Sequence, residues 1–130
     1  MTKPIKQQNT SFEAIDQLIW QHLEERDWHR NPPRGLAISI ALEASELLEH
    51  YQWGDEPVGS REDLAAELAD IFIYAFQFAQ ANQIDIAEAI QAKLHKAAEK
   101  YPAEAFKGKT GTAKREAWLD AKLQHHKTGL

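Results

Sequence analysis

The 130-residue chain has no cysteine. That excludes disulfide bonds and any zinc site built on thiolates. It has no long hydrophobic run either: the apolar stretches are interrupted by acids and are too short to span a bilayer. The polar residues Met1 to Asn9 are not followed by an apolar segment of the kind that marks a secretory signal, so a cytoplasmic protein is expected. Basic residues are in the minority, 15 Lys and Arg against 20 Asp and Glu, giving a formal net charge of -5. General nucleic-acid binding wants a basic face and is not expected. None of the six histidines has a glutamate three residues before it, which removes the Glu-x-x-His pattern of carboxylate-bridged di-iron bundles. Gly108-Lys109-Thr110 would need a glycine at position 103 to form a phosphate loop, and Ala103 stands there.

What is present reads as helix throughout. Thr10-Ser11-Phe12-Glu13 has the form of a capping box. Phe12, Ile15, Leu18, Ile19 and Leu23 follow at helical spacing, predicting a first helix over Ser11 to Asp27. Asn31-Pro32-Pro33-Arg34-Gly35 breaks it. A second helix is predicted over Leu36 to Tyr51, and a third from a cap at Ser60 to about Ala81. The fourth opens at Asp85-Ile86-Ala87-Glu88 and stops before Pro102. A further helix is predicted over Thr112 to His126, on a thin apolar stripe of Trp118, Leu119 and Leu123. The expected architecture is all-α, a four-helix bundle. It comprises a flexible leader at 1–10, a helical domain at 11–102 and a tail at 103–130.

The third helix carries the main anomaly. Leu64 to Ala79 is apolar nearly all round, yet holds Glu67 and Asp70, one turn apart on one face. Ionised carboxylates are costly in a dry interior unless compensated. Glu43 and Glu46 form a matching pair on the second helix. Packed face to face, the two helices would offer four carboxylates to a hard cation, Mg2+ or Mn2+. Such ions serve phosphoryl and nucleotidyl chemistry. For Glu43, Glu46 and Glu49 an ordinary solvated face is an equally simple account. An apolar third helix also suggests burial at a bundle centre or in a dimer interface.

The order Glu43-x-x-Glu46, twenty residues, then Glu67-x-x-Asp70 resembles the MazG-like all-α nucleoside triphosphate pyrophosphohydrolases. The flanks Glu25-Arg26-Asp27-Trp28, Pro33-Arg34, Gln52-Trp53, Ile73-Tyr74, Lys93 and Lys100-Tyr101-Pro102 resemble the dCTP pyrophosphatase branch of that family. The resemblance covers about Leu18 to Pro102. It implies Mg2+-dependent hydrolysis of a nucleoside triphosphate to the monophosphate and pyrophosphate, in a homo-oligomer, dimer or tetramer. It also implies that Glu43, Glu46, Glu67 and Asp70 hold metal. Lys93 would contact phosphate, with Arg34 or Lys100 assisting, and Trp28, Trp53 and Tyr74 would line the nucleotide pocket. The chain departs from the branch at Ile19, where a His is common, and at Ala97, where an Asn is common. Asn31 and Gly35 replace a common His and Asn. Fewer polar contacts to the nucleotide, and hence a relaxed base preference, are expected. Enzymes directed at dUTP or phosphoribosyl-ATP are further possibilities within the superfamily. A helical interaction module that has kept the fold and lost activity is the alternative from another class.

Overall fold

The computed structural model describes residues 11–128, so the leader expected at 1–10 lies outside the described residues. Six helices follow one another: α1 (Phe12–Glu24), α2 (Pro33–Glu49), α3 (Arg61–Ala81), α4 (Ile86–Lys100), α5 (Ala103–Phe106) and α6 (Gly111–Thr128). No strand occurs among the described residues, so the fold class is all-α as expected. The first four helices are those the periodicity predicts; α5 is an extra turn after Pro102.

The chain divides into two compact units, one up to Ile86 and one from Ala87 onward. In the first unit, α1 starts at Ser11, whose Oγ accepts from the Ala14 N–H at 3.2 Å. It ends at Glu24, earlier than the sequence pattern suggests. Asp27 takes a left-handed conformation with φ 59°. The Trp28 N–H reaches back to the Leu23 carbonyl at 2.8 Å and the Asp27 N–H to the Glu24 carbonyl at 3.1 Å. This is a Schellman stop with an aspartate where glycine is usual. It turns Trp28 back toward the helix it leaves.

Helix α2 begins at Pro33, three residues before the expected Leu36, because proline is favoured in the first helical turn, where its missing N–H costs nothing. It ends at Glu49, short of Tyr51: the His50 and Tyr51 N–H groups bond three residues back, tightening the chain into a turn. Helix α3 keeps its expected bounds. Ser60 and Asp63 form a reciprocal capping box, with Asp63 N–H to Ser60 Oγ at 3.2 Å and Ser60 N–H to Asp63 Oδ2 at 2.8 Å.

Helices α2 and α3 pack along each other, and α1 lies on α3. The Phe12 and Phe76 rings stack at 5.9 Å. Gln80 Nε2 donates to both the carbonyl and the carboxylate of Asp16, at 3.1 and 2.8 Å. Leu23, Leu36, Phe76 and Ala79 are the buried apolar side chains. Burial of α3 is therefore confined to its C-terminal half. Leu68 and Phe72 are both 49% exposed, so the first unit by itself does not enclose the N-terminal half of α3.

In the second unit, α5 packs on α6. Tyr101 meets Phe106 edge-on at 5.8 Å, and Lys122 lies over the Trp118 ring at 4.3 Å. No described helix is long and apolar enough to cross a membrane.

Candidate active site

Helical spacing places Glu43 and Glu46 one turn apart on α2, and Glu67 and Asp70 one turn apart on α3. The α2–α3 contact brings three of the four together. One oxygen each from Glu43, Glu46 and Glu67 lies within 4.8 Å of the others. Glu43 and Glu67 are half-buried and Glu46 is exposed. Asp70 is exposed and outside this group of three. Its charge still reaches Glu43, whose pKa is raised by burial first, then by Glu46, Asp70 and Glu67.

Like charges this close oppose one another, and Glu43 Oε2 is buried with no hydrogen-bond partner. A hard divalent cation relieves both problems: it neutralises the cluster and takes the orphaned oxygen as a ligand. The all-oxygen donor set therefore fits Mg2+ or Mn2+ better than a soft metal.

One neighbour of the cluster was not singled out in the sequence. His50 Nε2 lies 3.6 Å from Glu67 Oε1, with both side chains largely buried. The Val58 N–H closes the turn onto the His50 carbonyl at 2.8 Å. A Cβ at position 59 would overlap the imidazole, so Gly59 is what makes room for His50 beside Glu67. A His directly after an acid-bearing helix, with a glycine nine residues on, is too weak a pattern to have signalled this.

Two clefts adjoin the acids. The larger, of about 690 Å³, runs between α1 and α3 and is lined by Trp28, Asp70 and Tyr74 together with Ile19, His22 and Gln77. The smaller, of about 400 Å³, is lined by Glu46, Glu67, His50 and Trp53. Trp28 and Tyr74 thus share a cleft with Asp70, whereas Trp53, 84% exposed, lines the other. Ile19 lines the larger cleft as an apolar wall. His22, Asn31 and Gln77 also line this cleft. His22 follows Ile19 by one turn, and Gln77 follows Tyr74 by one turn. That spacing was the signal available in the sequence.

Arg34 is exposed in the first turn of α2. Lys93 and Lys100 belong to the second unit. There, burial and the charges of Lys100, His126 and Lys93 lower the pKa of His125, and Lys100 Nζ lies 5.2 Å from the Tyr101 ring centroid.

The fold and the site define an all-helical protein whose two packed helices present a carboxylate cluster that could hold a cation, beside an aromatic-lined cleft. Its membership can be stated more closely. Residues 38–114 match the MazG-like family, and the chain belongs to that family. It is 32% identical over 107 residues to dCTP pyrophosphatase 1 of Bos taurus, across 75% of this chain and 63% of that protein. It is 31% identical over 102 residues to dCTP pyrophosphatase 1 of Homo sapiens, across 72% of this chain and 60% of that one. The chain thus spans somewhat less than two thirds of these curated relatives. Its fold is similar to the crystal structure of a pyrophosphatase from Archaeoglobus fulgidus, with a TM-score of 0.60 and 28% identity, covering 75% of this chain and 98% of that one.

Proposed function

We propose that this chain is a Mg2+-dependent nucleoside triphosphate pyrophosphohydrolase, with Mn2+ able to replace Mg2+. It would release pyrophosphate and a (deoxy)nucleoside monophosphate, and so clear surplus or non-standard nucleotides from the cytoplasmic pool. The carrying observation is the close approach of Glu43, Glu46 and Glu67 from two helices, beside a cleft that holds Trp28 and Tyr74. The relatives named pyrophosphatase support the same reaction class.

In this reading Glu43, Glu46, Glu67 and Asp70 hold the cation. When bound, the cation supplies positive charge at the phosphates and Lewis acidity at the reacting centre. Hydrolysis adds water across the bond between the α-phosphorus and the bridging oxygen, and pyrophosphate leaves. The chain's own work is binding and orientation. Trp28 and Tyr74 offer ring faces to the base, where stacking is worth about 1–3 kcal/mol. Trp53 would contact the nucleotide from the second cleft. Arg34, Lys93 and Lys100 are assigned to the phosphates on the family resemblance alone. A homo-oligomer, dimer or tetramer, is proposed from the apolar side chains that one chain leaves exposed on α2 and α3.

The test is pyrophosphate release from a nucleotide panel with Mg2+ or Mn2+. We expect pyrophosphate and monophosphate as products, loss of turnover on chelation, and at least a hundredfold loss in Glu67→Gln. The same variant should bind Mn2+ more weakly by calorimetry, a readout independent of turnover. Absence of pyrophosphate from every triphosphate would leave the alternative, a non-catalytic helical interaction module.

A further inference from the structure

Among the described residues Gln77 is the one buried polar side chain, 7% exposed. A primary amide carries two donors and an acceptor, and although the Gln77 side chain as a whole is enclosed, its amide atoms stay accessible. Its polar neighbours are tied through their amide nitrogens, although Gln80 Oε1 is buried without a partner. Gln80 is tied through Nε2 to Asp16. Asn31 donates to the Trp28 carbonyl at 3.2 Å. The Gln77 amide makes no hydrogen bond to any described residue, yet it lines the 690 Å³ cleft.

Its position on α3 gives that amide a direction. Asp70, Tyr74 and Gln77 all line the same cleft, at helical spacings of four and three residues. At 1.5 Å per residue, Gln77 lies about 10 Å along the axis from Asp70. The stripe therefore runs from a carboxylate through a phenol ring to an uncommitted amide. The Trp28 ring closes the same cleft, with His22 edge-on to it at 6.3 Å.

We infer that Gln77 is a specificity-determining residue, whose amide reads the hydrogen-bonding edge of a pyrimidine base held against Trp28 and Tyr74. This rests on the nucleotide reading of the cleft. A cytosine edge offers an amino donor beside a ring-nitrogen acceptor, and a uracil edge offers the reverse. A half-turn of the amide swaps its own donor and acceptor, and no protein partner holds it in either orientation. Gln77 therefore accepts 4-amino and 4-oxo pyrimidines alike and penalises a ligand that presents neither group.

The experiment measures calorimetric affinities for the α,β-imido analogues of dCTP and dUTP with Mg2+, so that binding is scored without hydrolysis. Two variants of similar size separate the possibilities. Gln77→Leu removes all polar atoms, and both affinities should fall by tenfold or more. Gln77→Glu, when ionised, accepts only. Its charge repels both triphosphates equally, so the ratio of the two affinities isolates the edge contact. The cytosine amino group stands at the corner of its edge and can donate to the carboxylate, whereas uracil N3–H lies between two carbonyl oxygens that repel it, so the ratio should move about tenfold toward the cytosine analogue. Thermal melts monitored by circular dichroism check folding, and if Gln77→Leu does not fold, the Gln77→Glu ratio decides. An unchanged ratio in Gln77→Glu overturns the inference, as do unchanged affinities in a folded Gln77→Leu. The two levels stay distinct. Wild-type protein that binds the analogues but releases no pyrophosphate from the natural nucleotides ends the enzyme reading and leaves the Gln77 assignment standing. Turnover by wild type, with the ratio unmoved in Gln77→Glu, does the opposite.

Discussion

One methyl group tests how the acidic cluster is supported. Adding a Cβ at Gly59 drives it into the His50 ring, and His50 is the basic group beside Glu67. Gly59→Ala should therefore cost about 1–3 kcal/mol of stability from overpacking. It should also weaken Mn2+ binding several-fold, because Glu67 loses its neighbour's placement. Calorimetry on the folded variant checks this; wild-type Mn2+ affinity would show that His50 does not position Glu67. A second prediction at this scale concerns pH. Hydrogen bonds from the backbone and side chain of Ser60 hold the Asp63 carboxyl below its ordinary 3.8. A group depressed in the folded state adds stability above its unfolded pKa and loses it as pH falls through the folded value. The Ser60–Asp63 contribution is thus complete at neutral pH and disappears in acid, below about the ordinary carboxylate value. In Ser60→Ala the stability deficit should be present at pH 7 and shrink toward pH 3, as read from urea midpoints across that range.

At the scale of the element, the starts at Ser11 and Ser60 and the stops of α3 at Ala81 and of α4 before Pro102 were legible, whereas the start of α2 and the stops of α1 and α2 were not. Ser11 and Ser60 act through local chemistry, a side-chain acceptor that a short window of sequence contains, whereas Pro33 reads as part of a break although it opens α2. The stop at Glu24 depends on Asp27 taking a left-handed backbone, φ 59°, where a glycine would have been the readable sign; Gln83 does the same, φ 55°, beyond Ala81, the stop that the sequence did place. At the second stop the Ile84 N–H returns to the Ala79 carbonyl at 2.8 Å and the Gln83 N–H to the Gln80 carbonyl at 3.3 Å. Gln83 bears a Cβ in a conformation that disfavours one. Gln83→Gly should therefore stabilise the protein by up to about 1 kcal/mol, visible as a higher melting temperature; a lower one would mean that the side chain, not the backbone, matters there. The same contrast applies to the site. The spacing within each acid pair showed in the sequence because a helix preserves it. The meeting of Glu43 with Glu67, the placing of His50 under Gly59, and the sharing of one cleft by His22, Trp28 and Gln77 are products of helix packing. They are set by contacts between residues far apart in the chain.

At the scale of the whole molecule, the described core is thin for a chain of this length. Among the described residues the buried apolar side chains are Leu23, Leu36, Phe76 and Ala79. Ile38 and Leu42, one turn apart on α2, are 50% and 60% exposed, and Leu68 and Phe72, one turn apart on α3, are each 49% exposed. Under the proposed assembly, apolar side chains left open in such number would be covered by a second copy of the chain. Such a homo-oligomer couples folding to assembly. Stability then depends on protein concentration, because association stabilises the folded state by mass action. The melting temperature should rise as the protein is concentrated, and light scattering should give at least twice the 14.8 kDa chain mass. A Leu42→Asp, Phe72→Asp double variant places charges where an interface would have to desolvate them. It should run at a lower assembled mass and lose the concentration dependence. A wild-type melting temperature that stays constant over a hundredfold dilution, together with a monomeric mass, would mean that these side chains face solvent and that the folded monomer is stable on its small core alone.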